Sequence, residues 1–90
     1  MKPHLLQVTL GAAATQISSS DVYVGQVVFQ NNAAHDCRVG DSTVSNTKGI
    51  LLVSGAGGAN IESRTFANCN LADFYLFGTQ NDVIDILYVA

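Results

Sequence analysis

Charged side chains are scarce in this 90-residue chain, where Asp, Glu, Lys and Arg together make up 12% of the sequence. A typical soluble domain carries roughly 25%. The four basic residues, Lys2, Arg38, Lys48 and Arg64, are scattered along the chain. A nucleic-acid partner requires a clustered basic stripe that replaces phosphate counterions, so the composition indicates no nucleic-acid partner. We expect much of the sparsely charged surface to be buried against other chains.

Long apolar runs are also missing. No segment approaches the roughly 20 apolar residues that span a bilayer, and residues 1–7 lack the apolar segment of a signal peptide. We therefore expect no membrane partner, and a chain that is made and kept in a cytoplasm. A domain this short buries only about 60–65% of its unfolded surface, so partner subunits are expected to add to its stability.

Cysteine is rare and tryptophan is absent. Cys37 and Cys69 are the two cysteines, whereas a disulfide framework in a small secreted domain usually shows about four to eight. In a reducing cytoplasm we expect two small buried hydrophobic residues, with a single late-formed bridge as the alternative. The lack of Trp weakens a sugar-binding interpretation, because sugars commonly stack on exposed aromatic rings.

Residues that favour β-strands are abundant. Val, Ile, Thr, Tyr and Phe recur in short runs between clusters of Gly, Ser, Asn and Asp, and a spacing of about 8–12 residues is typical of a sandwich or barrel. We predict one all-β domain over residues 1–90, a small β-sandwich of about eight short antiparallel strands, with residues 1–4 as a flexible N-terminal arm. The strands are predicted at residues 5–10, 22–30, 37–39, 50–53, 60–63, 71–77 and 83–89.

Both faces of the last predicted strand are largely apolar. Its alternating residues form two sets, with Ile84, Ile86 and Tyr88 on one face, and Val83, Leu87 and Val89 with Asp85 on the other. A strand that is apolar on both faces is normally covered on both. We expect one face to pack in the core and the other to meet a second sheet or a neighbouring subunit.

A nucleophile and a base occur together only at His35-Asp36-Cys37. Alternation along a strand puts His35 and Cys37 on one face and turns Asp36 away, so the orienting group that an activated thiolate needs is missing. The carboxylates are dispersed and lack the tight spacing of a calcium loop. We therefore expect no enzyme, no catalytic residues, no metal and no cofactor, and keep a small enzyme using His35 and Cys37 as the least favoured hypothesis.

One stretch resembles a known class of proteins. The segments Val27-Val-Phe-Gln-Asn-Asn-Ala-Ala, Cys37-Arg-Val-Gly-Asp-Ser and Lys48-Gly-Ile-Leu-Leu are similar to a strand, "QNN", "RVGDS", "GILL" pattern of small virion proteins of tailed bacteriophages. The resemblance extends over most of residues 5–89. It implies a jelly-roll-like sandwich that oligomerises on a virion, and it carries over no catalytic residue.

The function implied by this resemblance is structural. We expect a capsid decoration (cement) protein in the virion, made in the host cytoplasm, which forms homotrimers and bridges major capsid protein subunits. A tail, connector or fibre-associated structural or receptor-binding module remains the alternative. We expect the contact surfaces to be exposed apolar strand faces and the loop at residues 40–49, with Arg38, Asp41, Val44, Lys48, Tyr75 and Tyr88 as interface residues.

Overall fold

A computed structural model describes residues 1–56 and 62–90, which form eight strands in two four-stranded antiparallel sheets. The strands are β1 (Pro3–Thr9), β2 (Thr15–Gln16), β3 (Tyr23–Gln30), β4 (Cys37–Gly40), β5 (Ile50–Leu52), β6 (Ser63–Asn70), β7 (Tyr75–Phe77) and β8 (Val83–Val89). Sheet I has the order β1-β8-β3-β6, and sheet II has the order β2-β7-β4-β5. The chain changes sheet at every connection except β4 to β5, which is jelly-roll topology. The predicted all-β, jelly-roll-like sandwich is confirmed.

The core lies between the two sheets and is built from alternate residues of the strands. Phe29 on β3 is fully buried, and its ring centroid lies 5.9 Å from that of Phe66 and 5.4 Å from that of Phe74. The other buried apolar side chains come from both sheets and their connections: Val8, Leu10, Ile17, Val24, Val27, Cys37, Val39, Val44, Leu52, Leu71, Leu76, Ile84 and Ile86. Of the two faces of the last strand, the one that carries Ile84 and Ile86 packs in the core.

The N-terminus differs from the predicted arm at residues 1–4. Pro3 and His4 belong to β1 and pair with Val89 and Tyr88 of β8. Next to them, the Lys2 amide donates to the Ala90 carbonyl at 2.8 Å, and the Ala90 amide donates to the Lys2 carbonyl at 3.0 Å. The strand signal in residues 1–4 is weak, but β8 extends far enough to supply backbone partners. The first residues are thus held by the last ones.

The segment at 60–77 also differs from the prediction. Residues 71–77 were expected to be one strand, but Leu71–Asp73 form a 3-10 turn before β7. The Asn70 side-chain oxygen accepts a hydrogen bond from the Ala72 amide at 3.0 Å, and the turn buries Leu71. β6 is longer than the short strand expected at 60–63, of which residues 60 and 61 lie outside the described residues.

Candidate docking surface

The six predicted interface residues fall into two groups. Arg38 on β4, Tyr75 on β7, and Asp41, Val44 and Lys48 in the loop after β4 all belong to the sheet II side of the sandwich. Tyr88 lies on β8 of sheet I, where its ring stacks on His4 with centroids 4.9 Å apart. The fold therefore places five of these residues on the sheet II side, whereas Tyr88 belongs to sheet I.

Arg38 holds the β4–β5 loop to sheet II. Its Nη1 donates to the Gly49 carbonyl at 2.9 Å, and its Nε donates to the Asn46 carbonyl at 3.2 Å. Its neighbours across the sheet are Leu51 on β5 and Phe77 on β7. Because two of its donor groups are used by its own loop, Arg38 positions this loop.

The β4–β5 loop is organised from within. Asp41 is fully exposed and accepts hydrogen bonds from the Thr43 amide, at 2.8 Å, and the Thr43 hydroxyl. These bonds, helped by the charge of Lys48, lower the pKa of Asp41. Lys48 is also exposed, so both charged residues are available to a partner.

Val44 requires a correction, because its side chain is not available for docking. It is only 5% exposed and packs beneath Gly40 and Gly49. A Cβ on Gly49 would lie 2.7 Å from Cγ2 of Val44, and Gly49 has a φ of +131°. Val44 is the one large apolar residue of a polar loop, so the loop folds by burying it. It is therefore buried within its own loop and is not a contact residue.

The Asn31 side chain explains the "QNN" part of the pattern. Asn31 is fully buried, and its Nδ2 donates to the carbonyls of His35 and Leu52, each at 2.9 Å. Its Oδ1 accepts from the Ala33 amide at 2.9 Å. The carboxamide thus closes the β3–β4 turn and fastens β5 beneath it. The recognisable pattern in this part of the chain therefore has a folding role in Asn31, Arg38 and Gly49.

His35 and Cys37 do not form an activated pair. His35 Nδ1 lies 3.0 Å from Asp82 Oδ2, so the ring has a carboxylate partner in the turn before β8. Cys37 is buried, and burial together with the charges of Asp36 and Asp82 raises the pKa of its thiol to about 12. An activated thiol has a lowered pKa. This arrangement keeps the sulfur protonated, and it gives no support to a cysteine nucleophile.

The two cysteines belong to different sheets, and both are free. Cys37 lies on β4 of sheet II, and Cys69 lies on β6 of sheet I. Cys69 is half-buried against the core, and burial with the charge of Asp73 raises its pKa. The expected burial is observed for Cys37, whereas Cys69 is only partly buried.

A cleft of about 380 Å³ opens on the outer side of sheet II. Its lining combines the apolar side chains of Leu51 and Phe77 with polar groups of Asp36, Arg38 and Thr79. The polar groups of Asp36 and Arg38 are already bonded to backbone: Asp36 Oδ1 accepts from the Ser54 amide at 2.7 Å, and Arg38 holds its loop. The cleft is therefore concave enough to hold a ligand, but Asp36 and Arg38 have few unpaired polar groups left to bind one specifically.

The outer face of sheet I also exposes apolar side chains, which the six predicted interface residues do not include. Leu5 on β1 pairs with Leu87 on β8, and Leu87 pairs with Val28 on β3. Leu5 is 83% exposed and Leu87 is 40% exposed, although both sit in regular strands. These three side chains form one row across three strands, which we name the outer apolar row. The apolar second face of β8 was the sequence signal that pointed to it.

A polar row borders the outer apolar row. The Gln7 side-chain amide donates to Asp85 Oδ1 at 2.8 Å, and the Asn32 side-chain amide donates to Asp85 Oδ2 at 3.1 Å. Gln30 pairs with Asp85 across β3 and β8. Asp85 is thus held by two amides at the margin of the apolar row, in the apolar-centre, polar-rim arrangement common in protein interfaces.

Comparison with known proteins identifies no relative: no family model, no curated protein and no solved structure matches this chain. Within residues 1–56 and 62–90, no three His, Cys, Asp or Glu side chains are grouped as metal ligands. The same residues contain no helix of sufficient length and apolarity to span a membrane.

Proposed function

We propose that this protein is a structural protein of a tailed-bacteriophage virion, specifically a capsid decoration protein that binds the major capsid protein. The observation that carries the proposal is the outer apolar row of sheet I, an exposed apolar surface on a domain with only 12% charged residues. The resemblance of the Gln26–Leu52 region to phage virion proteins supplies the class of partner. The confirmed jelly-roll fold agrees with what that resemblance implies.

The mechanism of such a protein is binding without turnover. Burying apolar surface contributes about 25 cal/mol per Å², and part of this is lost to the cost of association. Full burial of an exposed Leu side chain contributes about 1.5–3 kcal/mol, so Leu5 and Leu87 are the expected anchors. A copy that bridges two adjacent capsid subunits adds its binding free energy to that of the shell, which raises the free energy of disassembly.

Copy number in the virion tests this proposal directly. Quantitative mass spectrometry of purified virions of the encoding phage is expected to show the chain in numbers comparable to the major capsid protein. A small fixed number per particle would overturn the decoration role in favour of a tail or connector component. Absence from the particle would overturn both.

A matched pair of variants tests the docking face. Leu87→Lys places a charge in the outer apolar row, and Gln80→Lys places the same charge on the exposed turn before β8. Heads that lack the protein are expected to take up the Gln80→Lys protein normally, and to take up the Leu87→Lys protein weakly. Equal uptake of both variants would show that sheet I is not the docking face.

One observation favours the receptor-binding alternative. Tyr23 is 73% exposed and borders a shallow cleft of about 410 Å³ that is also lined by Asn68, Asn70 and Asp73. The exposed ring, beside the Asn68 amide and the Asp73 carboxylate, is suited to a sugar, because the ring stacks and these polar groups bond to hydroxyls. Saturable binding of purified protein to host cells, lost in Tyr23→Ala, would support this function; no binding would remove it.

A further inference from the structure

The outer edge of sheet I has unpaired backbone groups on alternate residues of β1. Lys2 and Ala90 exchange two backbone hydrogen bonds, so they form a hydrogen-bonded pair of the antiparallel ladder. Such pairs alternate with non-hydrogen-bonded pairs. His4, Leu6 and Val8 therefore bond to β8, and the amides and carbonyls of the odd-numbered residues point away from it.

Among the long edges, this one is the least protected. Edge strands are normally guarded by charges, prolines, bulges or short length. Within Pro3–Thr9 the only proline is at the first residue, and Asp, Glu, Lys and Arg are absent. The opposite edge, β6, carries Arg64 in an ion pair with Glu62 at 3.0 Å, and its backbone is distorted at Asn68, which has a φ of +51°.

We propose that β1 pairs with β1 of a second copy of this chain, in antiparallel orientation about a two-fold axis at Leu6. This register overlaps all seven residues of the strand. It sets Leu5 opposite Gln7 of the second copy, where both residues have free amides and carbonyls. It also sets Pro3, which lacks an amide, opposite Thr9, so only one hydrogen bond is forfeited at each end. The two copies form one continuous eight-stranded sheet.

The side chains of β1 are compatible with this pairing on both faces. Leu6 is partly buried and packs against the core, so two Leu6 side chains meet at the axis and extend the two cores toward each other. On the outer face, diagonal neighbours across antiparallel strands lie about 7–8 Å apart, and the register makes the two Leu5 side chains such neighbours. A side chain that is 83% exposed in one copy thereby gains an apolar contact. The outer apolar rows of both copies also become adjacent.

This inference does not rest on the proposed function, since it concerns the purified chain alone. Native mass spectrometry and amide hydrogen exchange of the full chain test it together. We expect a dimer mass, and slow exchange at Leu5, Gln7 and Thr9 in addition to the even-numbered residues bonded to β8. A monomer with fast exchange at the odd-numbered amides would overturn it. A trimer, the oligomer implied by the phage resemblance, would overturn the two-fold pairing as well.

Two matched variants locate the contact. Leu5→Lys sets two charges near the axis, whereas Thr65→Lys places the same charge at the exposed β6 edge of the same face. We expect loss of the dimer mass in Leu5→Lys and retention in Thr65→Lys. The reverse result would assign the contact to β6, and so would overturn the inference. If Leu5→Lys fails to fold, the exchange pattern of the unmodified protein still decides between the outcomes.

Discussion

Asn31 is the one polar side chain of the described residues that is fully buried, and its carboxamide makes three hydrogen bonds that join the β3–β4 turn to β5. Asn31→Ala removes all three. The bond to the Leu52 carbonyl is buried, and leaving a buried acceptor without a partner costs about 1–3 kcal/mol. The bonds with His35 and Ala33 are partly buried, so water replaces them at a smaller cost, and we expect a total loss of about 3 kcal/mol.

That loss is large for a domain of this length. A free energy of unfolding of about 0.05–0.15 kcal/mol per residue puts the whole domain at roughly 5–13 kcal/mol. Asn32→Ala is the matched control, because the neighbouring Asn32 is exposed and donates one hydrogen bond to Asp85. Its expected cost is within about 0.5 kcal/mol.

Urea unfolding, followed by far-UV circular dichroism at one fixed protein concentration, measures both variants. Equal losses of stability in the two variants, or a loss of less than about 1 kcal/mol in Asn31→Ala, would contradict the role assigned to the buried carboxamide. Asn31→Asp distinguishes the effect of side-chain volume from that of hydrogen bonding. It keeps the volume of the Asn31 side chain and removes the Nδ2 group that donates to the His35 and Leu52 carbonyls. Burial beside two carbonyls raises the pKa of the new carboxyl above its unfolded value of about 3.9. Its stability is therefore greatest below that pH and falls as the pH rises.

Three further results are expected. Gly49→Ala should lower the free energy of unfolding by about 2 kcal/mol, because its φ of +131° strains any side chain and the new Cβ would lie 2.7 Å from Val44. The control Gly11→Ala, whose new Cβ would have its nearest neighbour at 3.5 Å, should change it by no more than about 0.5 kcal/mol. Equal losses in urea unfolding would contradict this. In native protein at neutral pH, a thiol reagent should label Cys69 before Cys37, because Cys37 is buried with a pKa raised to about 12. Peptide mapping measures the order of labelling. Labelling of Cys37 before Cys69 would contradict the prediction. A raised thiol pKa stabilises the fold below the unfolded pKa of about 8.5 and loses this contribution as pH rises, so Cys37→Ala should flatten the alkaline loss of stability.

Strands with a strong β-forming pattern were predictable from the sequence, and β6 was not. The regions of β3, β5 and β8 carry consecutive or alternating Val, Ile, Leu and Phe, and β4 carries the alternating Cys37 and Val39. The predicted ranges of these four strands agree with the structure to within about two residues. β6 contains Ala67, Asn68 and Asn70, which disfavour strands by themselves. It forms because β3 supplies its hydrogen-bonding partner, and no local pattern records that pairing.

Capping by the Asn70 side chain explains why residues 71–73 form a turn and not the predicted strand. Residues 71–77 have an apolar composition that indicates a strand, yet Asn70 accepts a hydrogen bond from the Ala72 amide and starts a 3-10 turn there. Asn side chains commonly compete with strand pairing in this way. Val44 was misassigned for a related reason: polar neighbours indicated an exposed loop, and only the folded loop shows that Val44 fills the space beneath two glycines.

The sequence predicted that an exposed apolar strand face would form the candidate surface, but it did not predict which residues form it. The sequence pattern lies in residues 26–52, where Asn31 and Arg38 make hydrogen bonds within the chain and Gly49 packs over Val44. The sparse charge and the two apolar faces of β8 were better guides, since they depend on how much apolar surface the fold leaves uncovered. They indicated a partner surface without giving the neighbours of β8, which only the sheet order supplies.

The two outer faces of the sandwich are used differently, and this difference supports the proposal that sheet I is the partner surface. On sheet II, Arg38 holds the β4–β5 loop through two backbone carbonyls, so the chain uses that side to support its own loop. On sheet I, Leu5 and Leu87 stand in regular strands with much of their side chains exposed. Exposed apolar residues on one continuous face cost solubility unless they are buried on association. A partner, whether a capsid subunit or a second copy, is therefore expected to meet sheet I first.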